Sequence, residues 1–351
     1  MGSKGGALAT FMQTVSPKRL IVLVCLALFV LFVIPSQLGT RWMIIMTAVV
    51  IYSIVMLGLG LLIGRAGLVS ICQFVLFAIG AWVALRINYL IQLPLPLNLL
   101  IAGIVTAIIG VLVGLPALRL SGLYLALVTL MAAGGGTLVL TRILFPNGGG
   151  GWTGQSIKGG VSSLLPRPMF ALSDVAYYRY CVVIAMIMFL LATWQVRGRA
   201  GRAWAAIRQS EVTALAAGVN ITFYKLWAFA IASFCAGIGG GLLAASRGGV
   251  SINQFPVQGS VQMLAVVLMG GVFNVWGAMV AAIFFKLVPE LLLQWGLSTE
   301  WGTILFGVGL MQVLLTAPGG ISDQLPKDLK KLWGLLLAVT IRRSKKTETP
   351  W

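Results

Sequence analysis

Histidine is absent from this 351-residue chain, and acidic residues number only seven. The first acid is Asp174, so almost half of the chain carries none. Without histidine neither a Ser–His–Asp nor a Cys–His catalytic unit can form. No GxxxxGK[ST] stretch occurs, so the chain has no P-loop for ATP. CxxC is also missing, and Cys25, Cys72, Cys181 and Cys235 all lie inside apolar stretches. They read as small buried hydrophobes, not as disulfides or metal ligands. On these grounds neither an intrinsic enzyme nor a cofactor is expected in the chain. Charged residues total only 9%, and the net charge of +18 is no sign of nucleic-acid binding. No dense basic patch with interleaved aromatics exists. Lys and Arg sit instead where apolar runs end, the pattern that orients membrane proteins.

Apolar residues dominate what remains, at 59% of the chain. No soluble core could hide so much apolar surface. The apolar runs recur at the roughly 20-residue length that crosses a bilayer as helix. They lack the alternation of barrel strands. The expected fold is an all-α, polytopic transmembrane helical bundle of about ten spans. These are placed near 20–35, 42–63, 68–90, 97–118, 122–143, 177–196, 226–246, 259–274, 277–295 and 301–317. The run after Lys18 and Arg19 resembles a signal peptide but lacks a small-x-small cleavage site, so it reads as a retained span. With the N-terminus inside, inside segments hold well over twice as many Lys and Arg as outside ones, which places both termini in the cytoplasm. The expected organisation is an N-terminus at 1–19, a membrane domain at 20–317 and a basic tail at 318–351. A periplasmic loop at 144–176 and a cytoplasmic loop at 197–225 interrupt the membrane domain. LWGLLLAVTI at 332–341 reads either as an interfacial helix on anionic lipid or as part of a disordered tail.

Two internal patterns stand out. GLLIGRAGLVSICQF (60–74) and GLLAASRGGVSINQF (241–255) align without gaps. Gly60, Leu61, Leu62, Gly67, Val69, Ser70, Ile71, Gln73 and Phe74 all recur. The copies leave their spans on opposite sides, as inverted repeats do. Ser70, Gln73, Asn253 and Gln254 then follow facing helix breaks. They line a solute pathway or simply cap helix starts. Small-xxx-small pairs at Gly60–Gly64, Gly110–Gly114 and Gly237–Gly241 argue for close helix packing without naming partners. Lys286 and Glu290, four apart on one helix, are expected to neutralise each other.

The second pattern is GRAGRAWAAIRQSEVTALAAGVN at 198–220, a charged helix-former in an apolar chain. Ala203, Trp204, Ala206 and Ile207 recur at helical spacing with Arg202 and Arg208 beside them. Gly218 would stop the helix. One rigid helix over 201–218 is expected to lie across a partner's groove and act as a lever.

That loop, with the following FYKLWAFAIASFCAGIGGGL, resembles the branched-chain amino acid ABC permeases of the LivM type. GLVSICQFVLFAIGAWVA, LRLSGLYLALVTL, LAVVLMGGVFNVWGAMVAA, LVPELL and LLTAPGGI resemble further family blocks, in order, over roughly 40–320. The resemblance implies an inner-membrane importer subunit working by alternating access. Its implied partners are a related second permease, two cytoplasmic ATPases that bind ATP and Mg, a periplasmic solute-binding protein and membrane lipid. It places Arg202, Ala203, Ile207, Arg208, Glu211 and Gly218 in the ATPase-contacting element, with Glu211 pairing a basic residue of the ATPase cleft. Departures touch the cargo. Cys72–Gln73 stands where the family has His or Gln after Gly, Gly134 where it commonly has Glu, and NGGGGWTG lacks the family's acid. Urea, short amides and aromatic or other carboxylic acids, carried by relatives of this architecture, also suit a low-acid pathway. Two rivals of another class are an ion-coupled carrier and a passive channel.

Overall fold

The computed structural model describes residues 39–118, 120, 122–142, 165–248, 250, 254–296, 300–316 and 321–322. The span expected at 20–35, most of the outside loop, Asn253 and the 332–341 segment lie outside the described residues. Every regular element among the described residues is helical: α1 (Thr40–Gly64), α2 (Gln73–Ile91), α3 (Leu95–Gly114), α4 (Gly122–Arg142), α5 (Asp174–Arg197), α6 (Arg199–Gln209), α7 (Glu211–Ala216), α8 (Ile221–Arg247), α9 (Val257–Gly270), α10 (Gly277–Gln294) and α11 (Glu300–Thr316). Seven of these, α1 to α5, α8 and α10, are long and apolar enough to cross a membrane. Backbone polar groups satisfied within each helix are what lipid demands.

Helix α8 is the axis of the bundle. Its apolar window is 83% buried, against 28% for α4. Glycine makes that centrality possible. A methyl group on Gly237 would strike the Ala102 carbonyl and Gly103 of α3, and one on Gly80 of α2 would strike Gly237 itself. Gly110 and Gly114 of α3 lie against Ser233 and Phe229 of α8. Two of the small-xxx-small pairs therefore lie at different levels of one antiparallel α3/α8 contact, Gly237 and Gly241 beside Gly103 and Leu99 of α3. The third, Gly60–Gly64, abuts Val267 and Val272 around the end of α9. Dispersion between closely approaching backbones drives such contacts where lipid removes the hydrophobic drive.

Helices α1 and α8 also cross antiparallel. A methyl on Gly58 would meet the Ala232 carbonyl, and one on Gly239 the Ile51 carbonyl. Helix ends follow local chemistry. Ser173 caps α5 by accepting from Ala176 N at 3.2 Å, and Asn220 caps α8 by accepting from Phe223 N at 3.1 Å. The expected helix over 68–90 begins only at Gln73. Gly67 takes φ +72° after α1, and the chain to Cys72 is unwound. Likewise the span expected to reach 274 stops at Gly270, because Gly271 takes φ +108°.

Candidate coupling element and pathway residues

The polar segment between α5 and α8 folds back onto the bundle. Gly198 turns the chain, and its N–H reaches the Trp194 carbonyl at 2.9 Å. A side chain on Gly201 would collide with the Val196 backbone, so only glycine lets α6 return along the end of α5. The apolar face of α6 then docks inward. Trp204 is 1% exposed and packs in a cluster with Leu62, Leu68, Leu125 and Phe229. Its indole N–H donates to the Tyr224 carbonyl at 2.8 Å. Ala203 and Ile207 are buried beside it. The apolar face expected to lie in a partner's groove is thus satisfied by the protein's own core. Periodicity reveals such a face but not whose surface covers it.

The expected single lever helix is two helices. Ser210 breaks it with φ −162° and ψ 123°, and its hydroxyl accepts from Thr213 N at 3.3 Å to start α7. Serine favours such a cap over a helix interior. Gly218 ends α7 as expected, with φ +76°. Its N–H reaches the Leu215 carbonyl at 2.9 Å, and Val219 N–H reaches Ala214 at 3.0 Å, the paired bonds of a Schellman motif. Helix α7 turns Val212 and Leu215 outward, 78% and 60% exposed.

Charged groups lock this element to the bundle. The Arg208 guanidinium donates to the Gly64 carbonyl at 2.6 Å and lies 4.5 Å from the Phe273 ring centroid. Arg65 donates to the Phe273 carbonyl at 2.8 Å. One clamp therefore joins α6, the end of α1 and the α9–α10 turn. Glu211 already has a partner: its carboxylate is 2.8 Å from Lys225 Nζ. Lys225 is buried near the start of α8, so it requires a counter-charge, while Glu211 stays half exposed. Arg202 is exposed. Arg65, Lys225 and Phe273 were not singled out by sequence. No local pattern marks them, because their partners are distant along the chain.

Of the pathway candidates, Ser70 is buried with its hydroxyl 3.2 Å from Cys72 Sγ. Gln73 is 1% exposed, and its amide donates to the Ala232 carbonyl at 2.8 Å and the Val55 carbonyl at 3.4 Å. Its donors serve the α1/α8 crossing. Gln254 accepts from Arg247 at 2.9 Å in an exposed setting. Phe74 and Phe255, the last residues of the two sequence copies, touch at 5.5 Å between ring centroids. Tyr52, Phe77 and Phe285 complete an aromatic cluster around them. Lys286 and Glu290 do not pair as expected. Glu290 bonds Arg41 at 2.7 Å, and Lys286 Nζ lies 4.6 Å from the Tyr52 ring centroid. Arg41 comes from the far end of the chain, beyond the reach of helical spacing rules.

A bundle of lipid-length helices with a polar element keyed to one end defines a multi-pass membrane protein. The pattern of the family described as branched-chain amino acid transport system / permease component matches residues 42–314, and the chain belongs to that family. Among its relatives are the high-affinity branched-chain amino acid transport system permease proteins LivM. That of Escherichia coli (strain K12) is 30% identical over 348 residues, covering 91% of this chain and 78% of that protein. That of Salmonella typhimurium is 30% identical over 315 residues, covering 82% and 71%. The autoinducer 2 import system permease protein LsrC of Salmonella paratyphi B is 24% identical over 317 residues, covering 87% and 88%. No solved structure matches. These relatives are transport permeases, not enzymes.

Proposed function

We propose that this chain is a permease subunit of an ATP-driven importer in the bacterial inner membrane, moving branched-chain or related amino acids into the cytoplasm. Both termini and the α6–α7 element face the cytoplasm. A related permease completes the pathway, a periplasmic binding protein delivers solute, and two ATPase subunits bind ATP and Mg. The observation that carries this reading is the division of labour within the element. Helix α6 is keyed inward by Trp204 and Arg208, while α7 holds Val212 and Leu215 out of the bundle. Exposed apolar side chains on a rigidly held polar loop suit a partner's cleft. A push on α7 travels through α6 to the Arg208 clamp, and from there to α1 and the α9–α10 turn.

Alternating access needs two halves that rock against each other. Several contacts support an inverted repeat. Exchanging the aligned copies turns the Gly58–Ala232 contact into Ile51–Gly239, and both contacts exist. The equivalent rings Phe74 and Phe255 meet each other, as residues at a pseudo-two-fold axis would. The similarity to the LsrC proteins favours a second reading of the cargo, in which the same machine carries a different small polar solute.

The test changes the exposed face of α7. Val212→Glu with Leu215→Glu should leave the chain in the membrane but detach the ATPases and abolish uptake. Unchanged co-purification and uptake would remove α7 from the ATPase interface. Solute accumulation by the purified chain alone, without nucleotide, would overturn the importer reading itself.

A further inference from the structure

Lys286 carries a charge that the coupling scheme leaves unused. It lies well inside α10, and its Nζ rests over the ring of Tyr52, 4.6 Å from the centroid, and 5.9 Å from that of Phe285. Tyr52 is 5% exposed, and Lys286 itself is partly buried, so the ammonium sits against the interior of the bundle. A ring face attracts the cation but accepts no proton from it. Among the described residues Lys286 has no carboxylate or carbonyl partner. Glu290, one turn further on, is held by Arg41 at 2.7 Å. Pro289, inside α10, withholds the N–H that would bond the Phe285 carbonyl, so the helix is weakened one turn from Lys286. The aromatic cluster that joins the two sequence copies adjoins the site.

An ammonium inside a membrane bundle whose nearest acid, Glu290, is already bonded to Arg41 is costly unless an anion visits it. We propose that Lys286, bordered by Tyr52 and Phe285, holds the carboxylate of an apolar-tailed solute during its passage. This assignment rests on the importer reading for its cargo, and it names the chemistry that the permease recognises. Lys286 supplies the charge-assisted hydrogen bonds. The neighbouring rings suit the apolar tail.

The test uses the full chain in lipid nanodiscs and follows its thermal unfolding midpoint with three probes sharing one tail: L-leucine, 4-methylpentanoate and leucinamide. Both carboxylates should stabilise the wild-type chain, and the amide should not. Lys286→Met should raise the half-saturating carboxylate concentration about tenfold or more, the scale of one lost bond to a charged group. Lys286→Arg should raise it less. Should the methionine variant fail to reach the membrane, Lys286→Gln serves the same comparison. The assignment is overturned by carboxylate binding unchanged in Lys286→Met or Lys286→Gln, by equal binding of the amide, or by a wild-type chain that answers to no carboxylate. ATPase co-purification is scored on the same variants. Wild-type chain that never brings down an ATPase counts against the importer reading, whereas ATPases retained without carboxylate discrimination count against Lys286 alone.

Discussion

Arg208 shows how much one side chain can join. Its guanidinium holds the last carbonyl of α1 and covers Phe273, so it touches both elements that receive the proposed push. Arg208→Ala should leave membrane insertion and ATPase binding intact and lower the solute moved per ATP hydrolysed several-fold. Paired uptake and hydrolysis measurements in proteoliposomes give that ratio, and an unchanged value would show that the clamp transmits nothing. Glu211 carries a different lesson. Its position was legible in the family motif, but its partner was not, because Lys225 lies across the turn between α7 and α8. Removing the acid strands a buried ammonium. Glu211→Gln should destabilise the chain by about 1 kcal/mol, a modest figure because the carboxylate is half exposed. Exchange of the two charges in Glu211→Lys with Lys225→Glu should restore part of the loss. Thermal unfolding in detergent would read both.

At the scale of elements, hydropathy located the helices and misjudged their ends. The apolar run beginning at Leu68 looks continuous with the helix that starts at Gln73. A left-handed Gly67 and an unwound stretch interrupt it, and hydropathy is blind to φ. Ser210 did the same to the lever, since its cap competes with helix continuation. Glycine patterns were more informative, because small-xxx-small pairs on α3 and α8 did mark a contact, although only the structure showed what each pair faces. Glycines here are not alike. Gly237→Leu would force α8 off α3 and should cost about 2 kcal/mol, whereas Gly134 and Gly135 of α4 have open space around them. Gly134→Ala should be neutral or stabilise the isolated chain by up to about 1 kcal/mol through helix propensity. Unfolding of the two variants side by side in mixed detergent would separate these cases, and equal losses would contradict the α3/α8 packing account.

For the whole molecule the central question is which end faces the cytoplasm. Basic residues favour the α6–α7 end. Met169, 94% exposed, and Val212, 78% exposed, stand at opposite ends of the bundle. In intact cells with a permeable outer membrane, a membrane-impermeant maleimide should label Met169→Cys and spare Val212→Cys. Native Cys72, Cys181 and Cys235 are buried and should stay silent. The reverse labelling would place the coupling element in the periplasm and remove its access to any ATPase.

Composition alone determined that this chain lives in a membrane as helices. Apolar length is an additive property, readable without knowing where any residue lies. Which surface covers Trp204, which carbonyl holds Arg208 and which acid answers Arg41 were decided only by tertiary structure. Each of those partners lies far along the sequence, and a buried polar or charged group is satisfied by whatever the fold brings to it, not by its neighbours in the chain.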